Sequence, residues 1–125
     1  MADQTALTEL EKRALIAAID VVLSKPLREC LKKQAKTLVV TSRQNNRPYG
    51  FYTYFACLGD VECLAFDENL NRKPLGAWGV YDPGEPPISF LIYTKDGRID
   101  FMEASTCISV WPEQEELIEF PAEAQ

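Results

Sequence analysis

The sequence contains no histidine among its 125 residues. Histidine is the commonest general acid–base at neutral pH and belongs to the Ser-His-Asp and Cys-His groups, so these forms of catalysis are excluded. The glycine-rich phosphate-binding motifs and the G-x-S-x-G turn of hydrolases are also missing. Catalysis would have to use carboxylates, tyrosines or a cysteine. We therefore expect a protein that is not an enzyme and that uses no cofactor.

Cysteine is scarce and unclustered, with Cys30, Cys57, Cys63 and Cys107 spread along the chain. No C-x-x-C pair occurs, and without histidine this spacing predicts no metal site. Cysteine is among the most buried residue types, so the four are predicted to be reduced thiols in the core. A bond between Cys57 and Cys63 across a turn is conceivable, but cytosolic conditions disfavour it.

Long apolar runs are missing as well. No segment approaches the roughly 18 apolar residues of a membrane span. The run from Ala14 to Leu23 follows several charged residues and is interrupted by Asp20, so it does not resemble a signal peptide. The length suits one domain, residues 1–125. We expect a cytoplasmic protein.

Charge is distributed unevenly along the chain. Residues 1–48 carry nine basic and five acidic groups, a balance of +4, whereas residues 49–125 carry four basic and fourteen acidic groups, a balance of −10. The acidic part would repel nucleic acid and anionic membranes, and it would attract a basic partner. The predicted partner is therefore a protein with a basic surface.

Two helices are predicted at the N-terminal end. Thr8 and Glu11 form a capping-box pattern that begins a helix over Glu9–Ser24. Pro26 suits the first turn of a second helix over Pro26–Lys36. The second helix carries five basic residues, which either form a solvent-exposed face or bind a phosphate or an acidic partner. They are Lys25, Arg28, Lys32, Lys33 and Lys36.

In the remainder of the chain, side-chain types alternate with the period of two that is typical of β-strands. Both faces of the run Tyr49–Leu58 are apolar or aromatic, which predicts helices on one side and a loop, a ligand or a second copy on the other, so a homodimer is possible. An acidic tail, residues 112–125, is predicted to dock one short turn and to be disordered beyond Pro121. The predicted strands cover Thr37–Ser42, Tyr49–Leu58, Val61–Phe66, Gly76–Tyr81 and the two arms of a hairpin within Ile88–Trp111.

This order predicts an α+β domain in which two N-terminal helices (about residues 9–36) pack on one face of a mainly antiparallel sheet of five to six strands (about residues 37–111), arranged as a meander. The hairpin is its best-defined element, because Asp96-Gly97 between two β-rich runs favours a two-residue turn. The simple register pairs Phe90 with Glu103. It places Glu103 on an apolar face beside Phe90, Ile92, Ile99 and Phe101.

Glu103 is thus predicted to be a buried carboxylate. The structural interpretation is an ion pair or a hydrogen-bonded tether, because an unpaired buried charge is very costly. The functional interpretation is a proton acceptor or ligand anchor with a raised pKa. Nine further residues of the acidic part are predicted to bind the partner. They are Asp67, Glu68, Trp78, Tyr81, Asp82, Glu85, Glu113, Glu115 and Glu116.

Several motifs together resemble a pattern found in small cytosolic domains of bacteria, some of which are immunity proteins encoded beside secreted toxins. These motifs are the strand Gly50–Phe55, the run Phe90–Tyr93, the turn Asp96-Gly97-Arg98, and the pairs Met102-Glu103 and Trp111-Pro112. The sequence departs from the pattern after Glu103, where Ala104 and Ser105 replace a glycine. The resemblance implies no catalytic residue.

Two functions are therefore expected. The first is a non-enzymatic protein-binding domain, an immunity protein that neutralises a cognate toxin by blocking its active site. The alternative is a small-molecule-binding or enzymatic domain with a pocket near Glu103, between the helices and the sheet.

Overall fold

The computed structural model describes residues 5–46, 49–59, 74–82, 84–106 and 110–125. Two helices precede five strands, and two short 3₁₀ turns follow them. The helices are α1 (Glu9–Asp20) and α2 (Lys25–Thr37), the strands are β1 (Leu38–Asn46), β2 (Gly50–Cys57), β3 (Leu75–Gly79), β4 (Ile88–Lys95) and β5 (Arg98–Ser105), and the 3₁₀ turns are Glu115–Leu117 and Ala122–Ala124.

The predicted α+β class is confirmed, and the strands of the described part form one antiparallel sheet of five. Their order is β1-β2-β5-β4-β3, so the predicted simple meander is wrong. After β2, the second strand from one edge, the chain re-enters the sheet at the opposite edge as β3, and β5 then takes the central position between β4 and β2. The predicted strand Val61–Phe66 lies outside the described residues.

Helix α1 begins as predicted, with a complete capping box. The Thr8 hydroxyl accepts a hydrogen bond from the Glu11 N–H, and the Glu11 carboxylate accepts one from the Thr8 N–H. The helix ends at Asp20 and not at Ser24. Ser24 instead caps α2, where its hydroxyl accepts a hydrogen bond from the Leu27 N–H, and this role requires an extended backbone.

The predicted hairpin turn between β4 and β5 is confirmed, and a side chain of α2 forms hydrogen bonds with it. Asp96 and Gly97 both have positive φ, 52° and 79°, as a two-residue type I′ turn requires. The buried Gln34 side chain donates to the Gly97 carbonyl (2.6 Å) and accepts from the Ile99 N–H (2.9 Å). This amide therefore acts like a peptide group of a neighbouring strand and fixes α2 to the turn.

The predicted register holds only for the two pairs next to the turn. Lys95 pairs with Arg98 and Thr94 with Ile99, but a bulge follows and Tyr93 pairs with Phe101. Asp100 is the extra residue, so every later β5 side chain moves to the opposite face of the sheet. Glu103 pairs with Leu91 and not with Phe90.

The prediction that Glu103 is a buried carboxylate of the apolar core is therefore wrong. Glu103 is half-buried and lies on the face that points away from the helices. The helix-facing side of β4 and β5 carries buried apolar residues instead, namely Ile88, Phe90, Ile92, Ile99, Met102 and Ala104.

The buried carboxylate of this fold is Glu11, which is 1% exposed. Besides the Thr8 N–H, it accepts two hydrogen bonds from the Arg43 guanidinium (2.8 and 3.2 Å) and one from the Thr53 hydroxyl (2.5 Å). Burial alone would raise the pKa of Glu11, but the hydrogen bonds from Arg43, Thr53 and Thr8 outweigh it and hold the pKa below its usual value. Glu11 thus joins α1 to β1 and β2.

The C-terminal segment packs on the domain, so the predicted disorder beyond Pro121 is wrong. Ile118 is fully buried, and the Arg13 guanidinium donates to its carbonyl. Glu119 forms an antiparallel bridge with Val80 beyond the end of β3. The Gln125 side chain accepts from the Trp78 N–H and donates to the Trp78 carbonyl, and thus covers the free edge of β3.

The prediction of four reduced thiols is wrong for Cys30, which is disulfide-bonded. The conceivable Cys57–Cys63 bond is not formed, since Cys57 is a free thiol, and burial raises the pKa of Cys57. Within the described ranges, no helix has the length and apolarity to cross a membrane.

The disulfide predicts a thiol count. The chain has four cysteines and Cys30 is disulfide-bonded, so protein produced under oxidising conditions should gain thiols when it is denatured and reduced, and it should show fewer than four before reduction. Titration with a thiol reagent before and after reduction measures both values. A count of four before reduction would contradict the bond.

The Glu11 network predicts an acid-sensitive fold. Glu11→Gln should lower the free energy of unfolding at pH 7 by about 3 kcal/mol, the usual cost of breaking a buried ion pair. Because folding lowers the pKa of Glu11, its stabilisation is present above the ordinary value of 4.5 and is lost as the pH falls through the folded pKa. Urea unfolding at several pH values measures this. The free energy of unfolding of the variant should fall less steeply with decreasing pH than that of the wild type.

Glu9→Gln is the matched control in the same helical turn. Glu9 is 82% exposed at its side chain and forms an ion pair with the exposed Lys12, at 3.4 Å. Its replacement should change the free energy of unfolding by less than about 0.5 kcal/mol. Equal effects of the two substitutions would show that the Glu11 network does not support the fold.

Candidate functional site

The sheet has one face that the helices do not occupy. Both helices pack on the side of Phe90, Ile92 and Met102, so side chains on the other side are only half-buried among the described residues. This side brings together aromatic residues and one carboxylate from the three central strands. We call it the open face and define it by Tyr52, Tyr54, Leu91, Tyr93, Phe101 and Glu103.

Three aromatic side chains form a row across the centre of the open face. Tyr93 stacks on Phe101 with ring centroids 4.4 Å apart and an interplanar angle of 11°. Tyr54 contacts the other side of Phe101 at 5.6 Å, because both Tyr54 and Tyr93 pair with Phe101 in the strand registers. Phe101 therefore lies in the middle of a packed, pre-organised row.

Glu103 occupies the next row, between Tyr52 of β2 and Leu91 of β4. A hydrogen-bonding interaction with the Glu103 carboxylate raises the pKa of the Tyr52 hydroxyl. Burial, and to a smaller extent the charge of Glu103, raises the pKa of Tyr93. Both tyrosines are therefore neutral donors at pH 7 beside one carboxylate. The open face can stack on planar groups, and it can accept a guanidinium or ammonium group at Glu103.

Four of the nine residues predicted to bind a partner lie on or after β3. Trp78 is 43% exposed and pairs with Ser89, which places it on the same side of the sheet as the open face. Tyr81 is 38% exposed. Asp82 is exposed but forms a local turn, because its carboxylate accepts from the Gly84 N–H and its carbonyl from the Glu85 N–H.

The C-terminal carboxylates divide into two kinds. Glu113 and Glu116 are exposed, whereas Glu115 is half-buried and accepts a hydrogen bond from the Trp111 indole at 2.8 Å. Trp111 itself packs edge-on against Phe51 and is a core residue. Seven of the nine predicted residues are thus described, in the segment around β3 and in the C-terminal segment, which contact each other through Val80 and Glu119, and the other two, Asp67 and Glu68, lie outside the described residues.

Sequence reasoning missed Tyr93, Leu91 and Phe101 as parts of the surface. The simple hairpin register assigned Phe101 to the core, and the bulge moves it outward together with Glu103. A signal was present: the simple register put a carboxylate among apolar residues, and one extra residue in β5 removes that conflict.

Two cavities stand out in the described part of the chain, and Glu103 lines neither of them. The predicted pocket between the helices and the sheet around Glu103 is therefore wrong, because Glu103 points away from the helices. Among the described residues, no three cysteine or carboxylate side chains lie close enough together to hold a metal ion.

No family model, curated protein or solved structure matches the chain. The resemblance to immunity proteins therefore remains a resemblance of short motifs. The function has to follow from the surface that the fold presents.

The pairing of Glu103 with Tyr52 predicts a measurable titration. In Glu103→Gln the pKa of Tyr52 should fall toward its ordinary value of 10.0, because the interaction with a carboxylate is lost. Tyrosine-selective ¹³C NMR resolves the five tyrosines of the chain during a pH titration. Glu85→Gln is the control, and an unchanged Tyr52 in both variants would contradict the contact.

Proposed function

We propose that the chain is a non-enzymatic protein-binding domain, that its binding surface is the open face, and that it acts as an immunity protein. In this role it covers the active site of a basic cognate toxin. The observation that supports the proposal is the row of stacked aromatic side chains beside Glu103 on the side of the sheet away from both helices.

Aromatic side chains supply much of the energy of protein interfaces when they are pre-organised and surrounded by polar groups. Tyr93 is already stacked on Phe101, and Tyr54 contacts the same ring at a tilt, so little side-chain entropy would be lost on binding. Glu103 would then pair with an arginine or lysine of the partner. The charge of residues 49–125, which is −10, would accelerate the encounter with a basic surface.

A second copy of the chain fits this face less well than a basic partner does. In a two-fold dimer formed through the open face, both copies of Glu103 would lie in one interface, and the chain offers only four basic residues after position 48 to pair with them. The net charge of −6 adds repulsion between copies. We therefore propose that the protein is a monomer before it meets its partner.

The disulfide is relevant to the cellular compartment in which the protein would bind the toxin. A cytoplasmic immunity protein remains the expectation from the sequence, but a bond at Cys30 is more typical of an oxidising compartment. An immunity protein of the periplasm meets its toxin before the toxin enters the cytoplasm.

Co-expression tests the proposal. The probe is the toxin domain encoded beside this gene, produced in bacteria with the wild-type protein or with Glu103→Arg. The wild type should restore growth, and the charge reversal should weaken the purified complex about 100-fold or more, because it opposes a basic group within the interface.

Glu29→Arg is the matched control, since Glu29 is an exposed carboxylate on α2, away from the open face. It should keep full protection. Equal protection by Glu103→Arg would contradict the open face as the binding surface. The absence of a toxin gene beside this one would contradict the immunity role.

A further inference from the structure

A large groove lies on the helical side of the protein, away from the open face. It is bounded by α1, α2, the segment 5–7 and the start of β1, and its volume is about 870 Å³. Half-buried Leu7, Ala35 and Val39 form its apolar floor, above the buried Leu15, Ile19 and Leu38. Ile16 forms part of its wall although 55% of it is exposed. An aliphatic side chain left half in water beside an apolar floor marks a surface that a ligand can cover.

The rim of the groove is basic in an otherwise acidic protein. Its charged lining consists of four lysines, Lys12 from α1 and Lys32, Lys33 and Lys36 from α2, and of two carboxylates, Asp20 and Glu29. Two of the four are neutralised by exposed carboxylates at 3.4 Å, Lys12 by Glu9 and Lys32 by Asp20. Lys33 and Lys36 form no ion pair with any residue in the described part of the chain.

We propose that this groove binds a free long-chain fatty acid, with the alkyl chain along the apolar floor and the carboxylate at Lys33 and Lys36. The combination of an apolar floor with a rim on which lysines outnumber carboxylates four to two is complementary to an anionic amphiphile. The stems of Lys33 and Lys36 can lie along the chain while their ammonium groups stay in water.

Size and charge together favour this ligand over others. The volume lies within the range of about 300–1,000 Å³ that is typical of small-molecule pockets. A small anion alone would leave the floor exposed, and a cationic amphiphile would meet the lysines. This site is separate from the open face and does not rest on the proposed toxin partner.

Binding of cis-parinaric acid, a fluorescent fatty acid, tests the proposal with the full chain below the micellar concentration. The wild type should enhance its fluorescence with one site per chain, and palmitate should displace it. Hexadecyltrimethylammonium, which has the same chain length and the opposite charge, should displace it at least about tenfold less well. No enhancement, or equal displacement by both amphiphiles, would overturn the proposal.

The double variant Lys33→Glu/Lys36→Glu identifies the rim. Both lysines are exposed, so folding should be retained, which circular dichroism checks. The dissociation constant for cis-parinaric acid should rise about tenfold, as expected for the loss and reversal of two exposed charge contacts. Lys25→Glu, an exposed position of α2 outside the groove, should bind like the wild type.

Ile16→Asp tests the floor and wall independently of the rim. It places a carboxylate against the alkyl chain at an exposed position of α1, and binding should fall about tenfold or more because a charge cannot be desolvated cheaply. Wild-type affinity in both Ile16→Asp and the double lysine variant would show that the fatty acid binds elsewhere and would overturn the proposal.

Discussion

The bulge at Asp100 decides which side chains of this protein face the helices and which face away. Strand side chains alternate with a period of two, so one extra residue exchanges the two faces for the rest of β5. Met102 and Ala104 are thereby buried against the core, and Phe101 and Glu103 join the tyrosines on the other side. The open face owes its two β5 residues, Phe101 and Glu103, to this one extra residue.

The two layers of the domain have separate tasks. The carboxylate of Glu11 accepts hydrogen bonds from the first turn of α1, from β1 and from β2, and Gln34 fixes α2 to the hairpin turn. These polar contacts and the apolar core hold the helices on one face only. The aromatic side chains of the open face are not needed for this packing. We propose that they bind the partner.

Local signals in the sequence predicted much of the fold, and tertiary contacts account for the rest. The capping box at Thr8 and the Asp96-Gly97 turn follow from backbone chemistry over four residues or fewer, and both are confirmed. The bulge depends on which face of β5 meets the core, which a simple alternation cannot show. The contact of Gln125 with β3 joins distant parts of the chain, and no local pattern indicates it.

The most direct test of the open face is hydroxyl-radical footprinting of the protein with and without the toxin domain encoded beside it. Oxidation of Tyr52, Tyr54 and Phe101 is expected to fall in the complex, while oxidation of Leu23, a 98% exposed residue of the helical layer, is expected to stay the same. Unchanged oxidation of the three aromatic residues together with protection of Leu23 would place the interface on the helices and contradict the account.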